Sequence, residues 1–181
     1  MPFLRRAGPR GYLWSFVALE YYTLVLNRTY KIFVTDQLLC GAIVRGWLAA
    51  PIFPGGEWYD PEFYARERLL RRYEGVDVSA EAFLAPNLWN FQLPRAALAD
   101  VEFDARPKWG MGTVPYSGRI RLHFHGGGSR ELILLGLQDG PGIRDRLRPA
   151  LVAARLPWWR RWLPAPVGTP APGSVARPAA G

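Results

Sequence analysis

The sequence predicts an α+β fold that is mainly β, and three observations carry the prediction. Two β-rich runs, residues 30–35 and 38–44, flank Asp36-Gln37 as a hairpin would. Four further β-rich runs between residues 88 and 136 are separated by turn residues. Beyond them, Ile143, Leu147, Ala150, Leu151 and Ala154 form one helical stripe suited to docking on a sheet. With 181 residues, 49% of them hydrophobic and 21% charged, the chain has the composition of one globular domain with tails. Wholesale disorder, a collagen-like repeat and a coiled coil are excluded. The expected organisation is a single domain over residues 1–163, followed by a disordered tail, 164–181, rich in Pro, Ala and Gly.

The first element is expected over residues 12–26, an apolar run behind the basic start Arg5, Arg6 and Arg10. It imitates a signal peptide or membrane anchor, but Glu20 interrupts it and no small-residue cleavage site follows Leu26. As a helix it would reach about 22 Å, short of a hydrocarbon core of roughly 30 Å. It is therefore expected as an N-terminal apolar helix, buried by the domain or dipped into lipid. In the hairpin that follows, Gly41 suggests a bulge or a close backbone approach.

Residues 46–88 read as a helical insertion. Pro51, Pro54, Gly55 and Gly56 mark a loop, and Asp60-Pro61-Glu62 supplies a cap, a first-turn proline and an acidic start. Phe63, Leu69, Leu70 and Tyr73 give that helix an apolar side, Arg66, Arg68, Arg71 and Arg72 a basic one, and Gly75 a stop. A second short helix is expected over 79–85, before Pro86. Strands are then expected over 88–93, 98–105, 118–124 and 131–136. In the third, Ile120, Leu122 and Phe124 alternate with Arg119, Arg121, His123 and His125, as in a half-buried strand. Asp139 caps the final helix, with Pro141 near its start and Pro149 expected to kink it.

The formal charge of +8 and pI near 10.1 sit mostly at the ends. Arg5, Arg6 and Arg10, and Arg155, Arg160, Arg161 and Arg177, lie in terminal stretches without acids, which leaves the body close to neutral. Only Lys31 and Lys108 are lysine, a bias in keeping with a GC-rich coding sequence before phosphate recognition. Cys40 is alone, so no internal disulfide forms, and it is expected as a small buried hydrophobe in a reducing cytoplasm. The sequon Asn27-Arg28-Thr29 carries no weight without a secretory signal.

Catalytic patterns are thin. His123 and His125 share a strand face but lack a third metal ligand at suitable spacing. Glu102 and Asp104 also share a face, with no companion base or nucleophile. Gly110, Gly112 and Gly118 do not open a helix after a strand and read as turn residues. No catalytic residue, metal or cofactor is expected.

The run from Tyr30 to Gly46, of the form aromatic-x-φ-x-V-T-D-x-φ-φ-x-G with φ apolar, resembles the first hairpin of bacterial pleckstrin-homology-like (PH-like) domains. Phe91 to Arg95, Asp100-Val101, Gly110 to Thr113, Leu132 to Leu134 and the final amphipathic helix resemble the rest. The matching blocks cover less than half of the chain and contain no catalytic signature. The resemblance implies a bent sheet barrel plugged by the C-terminal helix. Six strands are counted here where the family has seven, and residues 12–26 are the place where the seventh could lie.

Two clusters of cations and indoles are the candidate lipid- or partner-binding residues: Arg106, Lys108 and Trp109 in a loop, and Trp158, Trp159, Arg160, Arg161 and Trp162 after the final helix. Such pairs suit a bilayer headgroup layer. The second cluster could equally fold back onto the barrel as an aromatic latch. The expected function is a noncatalytic binding or scaffolding module, cytoplasmic and peripheral on the inner membrane, with an anionic membrane surface as partner. A soluble protein–protein or homo-oligomerisation module and a small enzyme of unrecognised type stay open as alternatives; nucleic acid is not the expected partner.

Overall fold

The computed structural model describes residues 8–23, 26–49, 55–106 and 108–148. Among them, seven strands form one curled antiparallel sheet in the order β4-β3-β2-β1-β7-β6-β5. The strands are β1 (Trp14–Tyr21), β2 (Asn27–Val34), β3 (Leu38–Arg45), β4 (Phe91–Pro94), β5 (Leu98–Asp104), β6 (Tyr116–Phe124) and β7 (Ser129–Leu135). Two short helices accompany them, α1 (Glu67–Leu70) and α2 (Gly140–Leu147). No helix among the described residues is long and apolar enough to cross a membrane.

The apolar segment at residues 12–26 is not a helix. It contains β1, whose two faces are both buried. Phe16 and Ala18 point into the barrel with Tyr30, Ile32, Leu122 and Leu134. Val17 and Leu19 point outward beneath Tyr64, Met111 and Val114. A strand covered on both sides loses the polar alternation that identifies strands and looks apolar all round. This is the seventh strand missing from the sequence count.

β2 and β3 form the expected hairpin, Val34 opposite Leu39, with Thr35 Oγ1 accepting from the Leu38 N–H at 2.8 Å in the turn. Gly41 makes the close approach, since a Cβ there would lie 2.1 Å from Phe91 Cε1 on β4. The register shift falls instead at Thr29/Tyr30. Gly118 lies inside β6, not in a turn; its φ of +120° sits at the irregular start of the β6–β7 pairing and under the Phe103 ring.

Between β3 and β4 the chain forms single turns instead of two regular helices. Asp60 does cap, accepting from the Glu62 N–H at 2.9 Å, but the element it starts is a 3-10 turn, Pro61–Tyr64. α1 is one turn long, and Glu81–Phe83 is a second 3-10 turn where a short helix was expected. These turns cover the outer face of the sheet: Tyr73, Val78 and Phe83 pack on Phe33, Cys40 and Val44. Cys40 is fully buried there, and burial pushes its thiol up to about 11. Asn90 ties this cover down, accepting from Ile43 N–H and Tyr73 O–H and donating to the Phe83 carbonyl.

The sheet is joined across β1 and β7 by only two residue pairs, Ala18–Leu134 and Leu19–Ile133. The Gln138 amide extends that seam, accepting from Val17 N–H at 3.1 Å and donating to the carbonyls of Val17 and Leu135 at 2.7 Å. Asp139 then caps α2 at Gly142 N–H, and Ile143 and Leu147 are buried in the interior. Ala150, Leu151, Ala154 and the expected kink at Pro149 lie outside the described residues, as does the 164–181 tail.

Candidate functional site

On the outer face of β6, alternation places Arg119, Arg121 and His123 in one row, between Glu102 and Asp104 of β5 and Glu131 of β7. The loop after β5 adds its own cations to this row. Arg106 donates to Asp104 at 2.9 Å, and Lys108 donates to Glu131. Arg119 bridges Asp104 and Glu131, while Arg121 reaches Glu131 at 3.2 Å and Glu102 at 3.7 Å. A cleft of about 360 Å³ beside α2 is lined by the same groups except Lys108 and His123, together with Arg144 and Arg148. Those two are also paired, with Asp145 and with Asp100.

The electrostatics follow from that crowding. Hydrogen bonds from Arg106, with the charge of Arg119 behind them, hold the Asp104 carboxyl well below the usual carboxylate range. Burial alone would raise Glu131, but Lys108, Arg121 and Arg119 outweigh it and lower it. Arg106 and Lys108, singled out in the sequence as binding cations, are thus each paired with a carboxylate within a charge lattice. Trp109 remains 82% exposed beside them. Its loop is pinned where Lys108 N–H donates to the Tyr116 hydroxyl at 2.8 Å and Tyr21 O–H donates to the Gly110 carbonyl at 3.2 Å. Trp158, Trp159, Arg160, Arg161 and Trp162 lie outside the described residues. His123 sits 3.2 Å from Glu102, and among the described residues no group of three or more His, Cys, Asp or Glu gathers as metal ligands.

A second constellation, absent from the sequence reading, forms at the mouth of the barrel. Glu20 near the end of β1 receives both Arg130 Nε and Nη2 from β7 at 2.7 Å, and the Arg130 guanidinium lies 3.7 Å over the Phe91 ring. Arg28, cross-strand from Glu20, is held between Tyr22 at 3.8 Å and Trp89 at 3.5 Å. With Glu20 taken by Arg130, no carboxylate among the described residues pairs with Arg28. Tyr30 anchors the floor, donating to the Trp89 carbonyl at 3.2 Å. Burial, then the Glu20 charge, raises its hydroxyl pKa, and Arg130 and Arg28 oppose that rise.

Tyr22 and Trp89 belong to a set of large exposed apolar side chains. Leu88 is 96% and Trp47 64% exposed, and Tyr22, Leu26 and Trp89 are exposed as well. Trp47 is brought here because Asn27 brackets the next residue, donating to the Leu48 carbonyl and accepting from its N–H. The same two bonds bury Asn27 and remove the sequon as a glycosylation site. The sequence pattern places Leu88 and Trp89 in a strand and Tyr22 and Leu26 in a helix, which conceals their exposure. The signal present in the sequence was Trp47, an indole beside a loop rich in Pro and Gly. Comparison of the chain with protein-family models, with curated proteins and with solved structures finds no match.

Proposed function

We propose that this protein is a noncatalytic binding module with a PH-like barrel, peripheral at the cytoplasmic face of an anionic membrane. The observation that carries the reading is the set of exposed side chains Tyr22, Leu26, Trp47, Leu88 and Trp89, of which Tyr22 and Trp89 hold a guanidinium that pairs with no carboxylate among the described residues. Indole and phenol rings settle at the headgroup level, where an apolar body and a polar tip both find partners. The terminal arginines, with no acids among them, supply long-range attraction, on the order of 1 kcal/mol for each that nears the surface. The seven-strand order, the β2–β3 hairpin and α2 packed on β5 and β6 support the PH-like assignment.

Sedimentation tests the reading. The protein should pellet with vesicles of equal parts phosphatidylglycerol and phosphatidylcholine, and leave the pellet in high salt. Trp47→Ser combined with Leu88→Ser should weaken binding about tenfold or more while leaving the melting temperature nearly unchanged, since both side chains are already exposed. A wild-type protein that stays in the supernatant at low salt overturns the proposal. The rim would then be read as a protein interface, because Trp, Tyr and Arg also dominate protein hot spots.

A further inference from the structure

We propose that the barrel opens along the seam between β1 and β7, and that the Gln138 side chain is the latch that sets how often it does so. The seam divides the sheet into β1–β4 and β5–β7. β1 and β2 share eight residue pairs and β6 and β7 share six, whereas β1 and β7 share two, Ala18–Leu134 and Leu19–Ile133. The next pair in register would be Val17–Leu135. There Gly136, at a φ of +69°, turns the chain away, and its N–H donates to the Pro115 carbonyl at 2.9 Å. The Gln138 side-chain amide takes the vacant place in the ladder. It accepts from the Val17 N–H and donates to the Val17 carbonyl, the two bonds that a peptide unit of a neighbouring strand would make, and it donates again to the Leu135 carbonyl.

A ladder bond breaks only when a strand moves, but the Gln138 amide is carried on rotatable side-chain bonds and can leave while both strands stay in place. Successive residues of a strand turn their backbone groups to opposite neighbours. With Val17 facing the seam, Leu19 faces it too and Ala18 faces β2. Once Gln138 leaves, Leu19–Ile133 is the backbone-bonded pair that still spans the seam, and the tie at its far end is between side chains, Glu20 with Arg130. Opening then parts Phe16 and Ala18 from Leu132 and Leu134 on the inner face, while the pairing within each half stays intact.

Amide hydrogen exchange of the full wild-type chain tests the opening. Ile32 is paired on both sides in the first half and Ile120 on both sides in the second. The Leu19 and Ile133 amides should be about tenfold or more less protected than these two, with a weaker response to low urea, because opening the seam exposes less surface than unfolding. Equal protection and an equal urea response would mean exchange by global unfolding and overturn the proposal. Gln138→Leu should lower the protection of Leu19 and Ile133 about tenfold, although neither amide bonds to Gln138. Unchanged protection at those two amides overturns the latch. Asn90→Ala separates seam from core, since its lost bonds, to Ile43, Tyr73 and Phe83, lie away from the seam. It should lower the protection of Ile32 and leave Leu19 and Ile133 as they were; a parallel fall at all three would show that the seam does not open on its own.

Discussion

On the outer face of β6, Arg119 lies between two carboxylates, whereas at the barrel mouth Arg28 lies between two aromatic rings. Both belong to strands and both are largely covered by their neighbours. The difference is where the neighbours sit. Carboxylates take up the donor edge of a guanidinium and cancel its charge, while rings cover its faces and leave the charge in place. A cluster of basic residues in sequence is therefore a poor guide to a binding surface. Arg106, Lys108, Arg119 and Arg121 look like a patch, yet each is paired with Asp104, Glu131 or Glu102. A single arginine between rings is the group that keeps its charge available.

Both surfaces stand on one scaffold, and the largest expected effect tests that dependence. Leu147 is fully buried where α2 meets the barrel interior. Leu147→Ala should cost about 2–5 kcal/mol in urea unfolding. A loss below about half a kcal/mol would mean that α2 is not the plug of the barrel, and that the mouth and the lattice do not share a core.

A paired substitution sharpens the contrast itself. Glu131→Gln removes the charge that Lys108, Arg119 and Arg121 share in a partly buried place, at an expected cost of about 2–3 kcal/mol. Arg28→Gln loses ring stacking and the hydrogen bond to the Tyr30 hydroxyl, and should cost about 1–2 kcal/mol. Urea midpoints of the two variants decide the matter. If Arg28→Gln is the more damaging of the two, the mouth is a structural clamp like the lattice, and the distinction between them collapses.

How much of this could be read beforehand depended on how local the determining contacts are. The hairpin was legible because Thr35, Asp36 and Gln37 make their own turn between two β-rich runs. β6 was legible because only one of its faces is apolar, and α2 because Asp139 and Pro141 mark its start. β1 was not, since its outer face is buried by Tyr64 and Met111, which arrive from distant segments. The turns covering β2 and β3 gave a correct cap at Asp60 and the wrong element after it, because their packing on the sheet sets their shape. The candidate site failed for the same reason. Asp104, the partner of Arg106, lies only two residues before it, but Glu131, which takes Lys108, arrives from β7. Arg28 was passed over because Trp89 reaches it from beyond the whole segment that follows β3.

The smallest expected effect concerns pH and separates the two regions without mutating either. Asp104 is held below its ordinary value by hydrogen bonds from Arg106, and Glu131 is lowered by Lys108, Arg121 and Arg119 against the opposing effect of burial. Carboxylates depressed in the folded state contribute stability that is fully present above their unfolded values, roughly 4, and is lost as pH falls through their folded values. The melting temperature should therefore be level from about pH 8 to 5 as far as these groups are concerned, then decline below about pH 4. Arg28 pairs with no carboxylate among the described residues and adds nothing to that decline. Asp104→Asn combined with Glu131→Gln should lower stability at neutral pH and flatten the acid limb, whereas Arg28→Gln should shift the whole curve slightly and leave its shape alone. An acid limb equally steep in the lattice variant would show that Asp104 and Glu131 do not carry the pH dependence.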